Sequence, residues 1–429
     1  MTATPPTLAR SIGFPQLLLY GVGNILGAGI YGLVGRAAGQ MGYAVWLGFL
    51  ASTLAAGLTG LTYACLGSRY PRAAGEAYVI GRGFGWPWLA YGVGLMVLAS
   101  GMTSMATAAR VFAGYLHGLV GGGSLNVFVL LFLVALSLLV AWGIDQSLWA
   151  NALCTTVEVV GLLLVILVTL PFWGTVNYLD PTPATHLSLP LVLNGAVLTF
   201  FAFIGFEDLL NVAEEVKSPE RNLPWALLLA VVASSLVYVA VGVGAVSVVA
   251  PATLATSEQP LTTVMHQAAP WFPSRGFSLI ALFAVANTAL LNGIMGSRLV
   301  YGMATQGLLP RFLGRIHPQR RTPQTAVAVV GGLVILLALT GDISRLARAT
   351  SILLLTNFLL MNGSLIRLQN RPGEPVGAFE IPRWVPWAGS LVCLAILSQS
   401  QPGELGLAGI ILGVIAILYL VLRPSLEPE

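Results

Sequence analysis

Runs of apolar residues too long for a soluble core recur along the whole chain, and they constrain the fold more than any other feature. Twelve such runs, bounded by Gly, Pro or charge, lie near 14–35, 43–67, 86–116, 125–142, 150–173, 189–212, 224–249, 276–305, 323–341, 346–367, 384–399 and 404–422. A helix that crosses the hydrocarbon core of a bilayer takes about 20 apolar residues, so each run is a candidate transmembrane helix. Barrel strands are excluded, because they are short alternating segments and these runs are uninterrupted. Composition agrees: 56% of the 429 residues are apolar and 8% are charged, with a mean hydropathy of +0.85. An ordinary soluble domain carries roughly 25% charged residues. The sequence therefore predicts an all-α integral membrane protein of about twelve transmembrane helices.

The net charge of +4 and the pI of 9.1 come from cations scattered singly, with no clustered basic face of the kind nucleic acid requires. Topology accounts for the basicity. With the amino terminus in the cytoplasm, 15 of the 20 Lys and Arg residues fall on the inner side, including the Arg311–Arg321 group, and Arg36, Arg110, Arg275, Arg345 and Arg348 fall elsewhere. That is the bias of the positive-inside rule, and it predicts cytoplasmic tails at 1–13 and 423–429 in a multi-pass protein of the cell membrane. Residues 1–13 also lack the apolar core and small-residue cleavage site of a secretory signal. Cys65, Cys154 and Cys393 sit far apart in apolar stretches and read as packing residues. His117, His186, His266 and His317 fall in predicted loops with neither triad nor metal spacing, so neither an enzyme nor a bound metal or cofactor is expected.

Two spans break the ordinary rules of a membrane helix. The first reads Gly21-Val22-Gly23-Asn24-Ile25-Leu26-Gly27-Ala28-Gly29-Ile30-Tyr31-Gly32, and the sixth reads Phe200-Phe201-Ala202-Phe203-Ile204-Gly205-Phe206-Glu207-Asp208. They open two candidate five-helix halves, 14–173 and 189–368, with Gly27 and Gly205 separated by 178 positions. Interrupted segments at matching places in two halves point to a midplane binding site. An odd number of spans per half makes the repeats inverted. An unwound helix exposes N–H groups at one end of the break and C=O groups at the other, so a zwitterion can bond to the main chain without a buried charged side chain. The same glycines fit close helix packing, and the first span alone does not separate the two readings. Gly21-x-Gly23 lacks the third glycine of a dinucleotide loop.

Three acids lie in or beside spans. Glu158 interrupts an apolar fifth span and is the candidate proton-titrating residue; a structural partnership, with Arg110 of the third span as one option, is the competing reading. Glu207 follows the sixth-span break, where it either bonds the freed backbone, gates, or lines the path, and Asp208 is placed to cap a restarting helix. Asn287, Asn292, Asn357 and Asn362 read chiefly as interhelical hydrogen-bonding residues. The segment Ala213–Pro224 is expected as a solvated loop with Pro224 in the first turn of the seventh helix. The inner loops Gly67–Gly75 and Gly307–Pro323 are basic enough to meet anionic membrane lipid.

The blocks Gly23–Tyr31, Tyr63–Tyr78, Phe200–Glu207 with Ala213–Pro224, and Ser297–Pro310 together resemble the amino acid-polyamine-organocation permeases, in the order those proteins carry them, from about residue 20 to 325. The resemblance implies a leucine-transporter-like arrangement of five plus five inverted helices with two additional helices at 384–422. It also implies movement of amino acids or related amines by alternating access. By similarity, main-chain groups at Ile25, Gly27, Ala28 and Gly29 hold the substrate's carboxylate and ammonium. Phe201, Ile204 and Gly205 supply further contacts, and Glu207 gates or binds. Phe201 or Phe203 stands where some relatives place an aromatic lid, and Ala74 stands where a glycine is usual. Some proton-coupled relatives carry a fifth-helix lysine in place of a sodium ion; here Glu158 occupies that region. A proton symporter, a sodium symporter and an uncoupled exchanger are therefore the three coupling options. An ion channel, the rival from another class, needs a continuous polar pore or repeated carbonyl loops that this sequence does not show.

Overall fold

The computed structural model describes residues 12–422 apart from 73–74, 183, 185, 306, 321, 341 and 401. Ala74, Arg321 and the tails other than Ile12 and Gly13 lie outside the described residues. Among the described residues the fold is helical throughout, and its one extended pairing is a parallel bridge between Ile12 and Val216. Eight helical stretches are long and apolar enough to cross a membrane, and one of them, Phe14–Arg69, has 56 residues and serves for two crossings. Three shorter apolar helices, Gln324–Thr340, Trp384–Leu397 and Ala408–Val421, account for the other expected runs. The chain is an all-α multi-pass membrane protein.

The first span is two helices, α1 (Phe14–Ile25) and α2 (Ala28–Met41), and the second is α3 (Val45–Arg69). A short helix, α4 (Gly75–Phe84), precedes α5 (Pro87–Val120), α6 (Leu125–Trp142) and α7 (Ile144–Thr169). The sixth span begins as α8 (Leu189–Thr199), continues as a 3₁₀ turn at Phe200–Phe203, and resumes as a 3₁₀ segment at Glu207–Glu215. Then come α9 (Pro219–Val248), the short α10 (Pro251–Thr256) and α11 (Pro260–Ala268), α12 (Ser274–Thr305), α13 (Gln324–Thr340), α14 (Ile343–Asn370), α15 (Trp384–Leu397) and α16 (Pro402–Leu422). Pro87, Pro219, Pro251 and Pro260 open their helices, where a missing N–H costs nothing.

Two groups of helices form. One joins α3 to α9, with α1 and α8 against them; the other joins α5 to α12, with α6 and α13 outside. Helices α7 and α14 pack between the groups. The two discontinuous spans thus sit in the interior, while α6 and α16 show Leu131, Leu138, Ile410 and Leu420 outward, as lipid-facing helices do.

One expectation about loops is corrected. The seventh helix starts at Pro219, so Pro224 lies in its interior. That position has no N–H for the Glu220 carbonyl, which instead accepts a hydrogen bond from Ser68 Oγ at 2.8 Å. Two arginines after the second span are ion-paired within the protein. Arg69 pairs with Glu380 (2.5 Å) and Arg82 with Glu374 (2.6 Å), both acids arriving from the connection between α14 and α15. Burial works to raise the Glu380 carboxyl, but the Arg69 hydrogen bonds outweigh it and hold the group below its ordinary value.

Candidate functional site

The first span breaks where the glycines predicted. Helix α1 ends at Ile25, Leu26 is extended, and Gly27 has φ 129° and ψ −133°. That φ is the left-handed half of backbone space, which a side chain strains. A Cβ on Gly27 would also lie 2.0 Å from Thr288 Oγ1 on α12. The first turn of α2 has four N–H groups without helical partners. Of these, Ala28 N–H donates to Thr288 Oγ1 (3.0 Å), and the first helical bond is that of Tyr31 N–H to the Gly27 carbonyl (3.2 Å). Among the described residues, no partner takes the N–H of Gly29 or Ile30. Two main-chain donors at a helix N-terminus form a small anion cradle, with the dipole adding to it.

The second break is at the predicted place too. After the 3₁₀ turn, Ile204 is extended and Gly205 has φ 121°. A Cβ on Gly205 would lie 2.5 Å from the Asn24 carbonyl oxygen, and one on Gly29 would lie 2.4 Å from Ala202 Cα. The two breaks touch each other. Phe201 and Ile204 are buried beside them, and Phe203 stacks edge-on against Tyr238 at 5.1 Å. That contact occupies Phe203, leaving Phe201 as the aromatic candidate at the site.

Some of the freed backbone groups are satisfied by the protein itself. Glu207 bonds the break: its Oε2 accepts from Gly205 N–H at 2.9 Å. Asn24 Nδ2 donates to the Gly205 carbonyl (2.7 Å) and to Asp208 Oδ2 (2.8 Å), so Asp208 acts through Asn24 on both broken spans. Tyr238 of α9 was not singled out from sequence. Its hydroxyl reaches the Ala202 carbonyl (2.7 Å) and the Ile25 carbonyl, one from each break. The available signal was a hydroxyl in the middle of an apolar run, which in lipid must find an acceptor.

Glu158 faces the first break. Its Oε1 lies 3.3 Å from where a Gly27 Cβ would stand, and the side chain is wholly buried. Asn287 stands close to it, yet among the described residues no hydrogen bond of ordinary distance and angle reaches either carboxylate oxygen. Arg110 is not its partner: the guanidinium donates to the carbonyls of Ala338 (2.6 Å) and Leu339 (3.3 Å) at the end of α13.

The asparagines separate by role. Asn287 Nδ2 ties the Gly23 carbonyl (3.2 Å) to Thr155 (3.0 Å), Asn362 ties α14 to Thr59 and Thr62 of α3, and Asn357 bonds Tyr63 and Glu76. Asn292 Nδ2 bonds only its own helix, at the Thr288 carbonyl. His117 and His266 are helical, in the last turn of α5 and in α11, where the sequence suggested loops. All three cysteines are buried and free.

Both ends of the site are closed over by polar contacts. On the face carrying the N-terminal segment, Ile12 pairs with residues 215–217, and Glu215 meets Arg298 of α12 at 3.7 Å. At the opposite face, Gln40 of α2 bonds Asn194 of α8 and accepts from Arg348 of α14 at 3.0 Å. Each set joins a broken span to a helix of the surrounding frame.

Comparison with known proteins follows the same lines. The signature of the amino acid permease family matches residues 12–422. An uncharacterized transporter of Mycobacterium tuberculosis is 30% identical over 98% of this chain and 92% of its own length. A branched-chain amino acid permease of Bacillus subtilis is 25% identical over 92% of this chain and 89% of its own. A cationic amino acid transporter of Arabidopsis thaliana is 32% identical over 84% of this chain and 62% of its own.

Proposed function

Because the chain belongs to the amino acid permease family, we propose that it is a secondary transporter moving amino acids or related amines across the cytoplasmic membrane by alternating access. The observation that carries this reading is the pair of touching breaks, with the Gly29 and Ile30 N–H groups left for a carboxylate. Ile25, Gly27, Ala28 and Gly29 form the main-chain half of the site, and Phe201, Ile204 and Gly205 the other. The bundle of α3 and α9, carrying the broken spans α1 and α8, rocks about the site against the group of α5 and α12, with both termini in the cytoplasm. The contacts of Ile12 and Glu215 close the inner face, and those of Gln40 and Arg348 close the outer one. Phe201 and Ile204 give the side-chain end an apolar wall while Glu207 is engaged with Gly205, which favours an uncharged substrate side chain.

Coupling falls to Glu158. An acid left ionised at the bilayer centre costs about 2.5–3.5 kcal/mol, and among the described residues no cation acts on this one, so a proton or sodium ion that binds there changes the energy of the first break directly. We take the proton as the coupling ion. One pH unit across the membrane is worth about 1.4 kcal/mol, or roughly tenfold accumulation of a neutral substrate moved with one proton.

The test is reconstitution into liposomes with labelled amino acids from leucine to arginine, under separate proton, sodium and counter-substrate gradients. Saturable, stereoselective uptake of leucine that follows the proton gradient is expected. Glu158→Gln should lose that roughly tenfold concentrating response per pH unit and keep counterflow exchange. Conductive flux without saturation would point to a channel, and undiminished proton-driven uptake by Glu158→Gln would remove its role.

A further inference from the structure

A second group of buried acids lies beneath the breaks, towards the face that carries the N-terminal segment. Glu76 on α4 is 2% exposed and Asp208, three residues past Gly205, is 1% exposed. Glu76 Oε1 accepts hydrogen bonds from Tyr63 Oη of α3 and from Asn357 Nδ2 of α14 (3.0 Å). Asp208 Oδ2 accepts from Asn24 Nδ2 (2.8 Å). Among the described residues, the other oxygen of each carboxylate, Glu76 Oε2 and Asp208 Oδ1, is buried without a hydrogen-bond partner, and so is the amide oxygen Oδ1 of Asn24.

These groups share one neighbourhood. Tyr63 lies within electrostatic reach of Glu76, Glu207 and Asp208, and its ring meets Phe206 edge-on at 5.7 Å, next to Gly205. The donors bonded to these acids are each engaged: the Tyr63 hydroxyl and the Asn357 amide on Glu76, the Asn24 amide on Asp208 and Gly205, and the Gly205 N–H on Glu207, while the buried Tyr20 hydroxyl of α1, within electrostatic reach of Asp208, and the Asn211 amide bond neither acid. Each carboxylate keeps one oxygen that no donor reaches among the described residues. Buried acceptors without donors are costly, and neighbouring buried carboxylates resist ionising together. One added proton meets both deficits, because it removes a charge and supplies the missing donor.

We propose that Glu76 and Asp208 together hold a proton at the inner end of the second break, a proton-binding site separate from Glu158. The residues facing Glu76 fix how it titrates. Tyr63 comes from α3, Asp208 and Glu207 from the segment after the break, and the neutral Asn357 from α14; α5, packed along α4, adds no charged group. Glu76 lies on α4, between the second and third spans. Burial raises its carboxyl, the Tyr63 hydrogen bond opposes that, Asp208 adds to it and Asn357 opposes it, and the outcome is a group pushed up to about 7.

The sign follows. On the acid side of about pH 7 Glu76 keeps its proton, and on the alkaline side it ionises against Asp208. Asp208 is tied through Asn24 to α1 and to the Gly205 carbonyl, so that repulsion acts on the inner ends of both broken spans. Proton loss to the cytoplasm thereby loosens the inner closure. This function rests on the transporter reading above; the binding of the proton does not.

Infrared titration of the purified full-length protein tests it by following the band of protonated carboxyl groups against pH. A carboxyl that titrates near neutrality is expected in the unmodified protein and in Glu158→Gln, and it should be missing in Glu76→Gln. Asp208→Asn should move the titration to lower pH by removing a like charge, and Tyr63→Phe should move it to higher pH by removing a donor to the ionised form. A full neutral titration retained in Glu76→Gln overturns the proposal. Should that variant not fold, failure of the other two to shift in opposite directions overturns it instead. The spectrum needs no transport, so an inactive preparation that still shows the band would count against the transporter reading and leave the proton site standing.

Discussion

Alanine at Gly27 or at Gly205 is expected to abolish uptake, while alanine at Gly57 or Gly92 is expected to leave it unchanged. All four are glycines in spans, so hydropathy and composition do not distinguish them. The backbone does. Gly27 and Gly205 hold φ of 129° and 121°, and an added Cβ would meet Thr288 Oγ1 at 2.0 Å or the Asn24 carbonyl at 2.5 Å. Holding a side chain in that region of backbone space costs on the order of 1–3 kcal/mol before any clash is counted. At 1.4 kcal/mol per factor of ten, the strain alone lowers occupancy of the broken geometry by roughly 5- to 150-fold. Around Gly57 and Gly92 an added Cβ meets nothing within 4 Å. There alanine gains about 0.5–1 kcal/mol of helix stability. Initial rates of uptake in liposomes, with protein amount matched by blotting, measure the contrast. Normal kinetics in either break variant would mean that the span does not need the break to carry substrate. Leucine at these positions is a poorer test, because neither site has room for it and loss of folding would look the same.

Tyr238→Phe is expected to raise the KM for substrate and slow uptake about tenfold or more. The ring keeps its packing against Phe203 and Phe49, so only the hydroxyl is lost. That hydroxyl lies between the Ile25 and Ala202 carbonyls and carries one proton for the two. Losing it leaves a buried acceptor unpaired at a cost of about 1–3 kcal/mol, which is a tenfold effect near the middle of the range. The position of the loss matters as much as its size. Both carbonyls flank the touching segments, so the cost falls on the site's shape and not on the general stability of the bundle. Thermal unfolding measured beside kinetics separates the two: a lowered melting temperature with unchanged KM would reduce Tyr238 to an ordinary buried hydrogen bond.

The two expectations differ in how they could be read. Gly27 and Gly205 stand out in the sequence because glycine and acid interrupt apolar runs at matched places, and an interruption is a local property. The bland reading of the other glycines is also right: Gly35 and Gly39 lie under Leu254 and Ala255 of α10, close contacts that leave no room for a side chain. Tyr238 carries no such local mark. Its neighbours in the chain are apolar on every side, so periodicity gives no face, and its acceptors lie 36 and 213 positions away. Glu76 escaped notice for the same reason. It reads as a loop acid among arginines, yet Asn357, 281 positions on, buries it with Tyr63.

Two arginines after the second span show partners that spacing hides. Arg69 and Arg82 look free in sequence, but acids some 300 positions later neutralise them: Glu380 lies 311 positions from Arg69 and Glu374 lies 292 from Arg82. Arg110 likewise bonds helix-end carbonyls instead of the acid that a charge count would offer it.

The sequence by itself determined the solvent, the number of crossings and the two places where a crossing is interrupted. Transfer of apolar residues into lipid, and the need of every backbone group there for a partner, act along the chain a few residues at a time. Only the tertiary structure decided which groups at each interruption stay available and which the protein itself bonds. Thr288, Asn24, Tyr238 and Glu207 make that division, three of them from across the other break or from other helices. Their reach depends on how helices that are apolar nearly all round turn towards one another, and side-chain contact, not sequence spacing, sets that rotation.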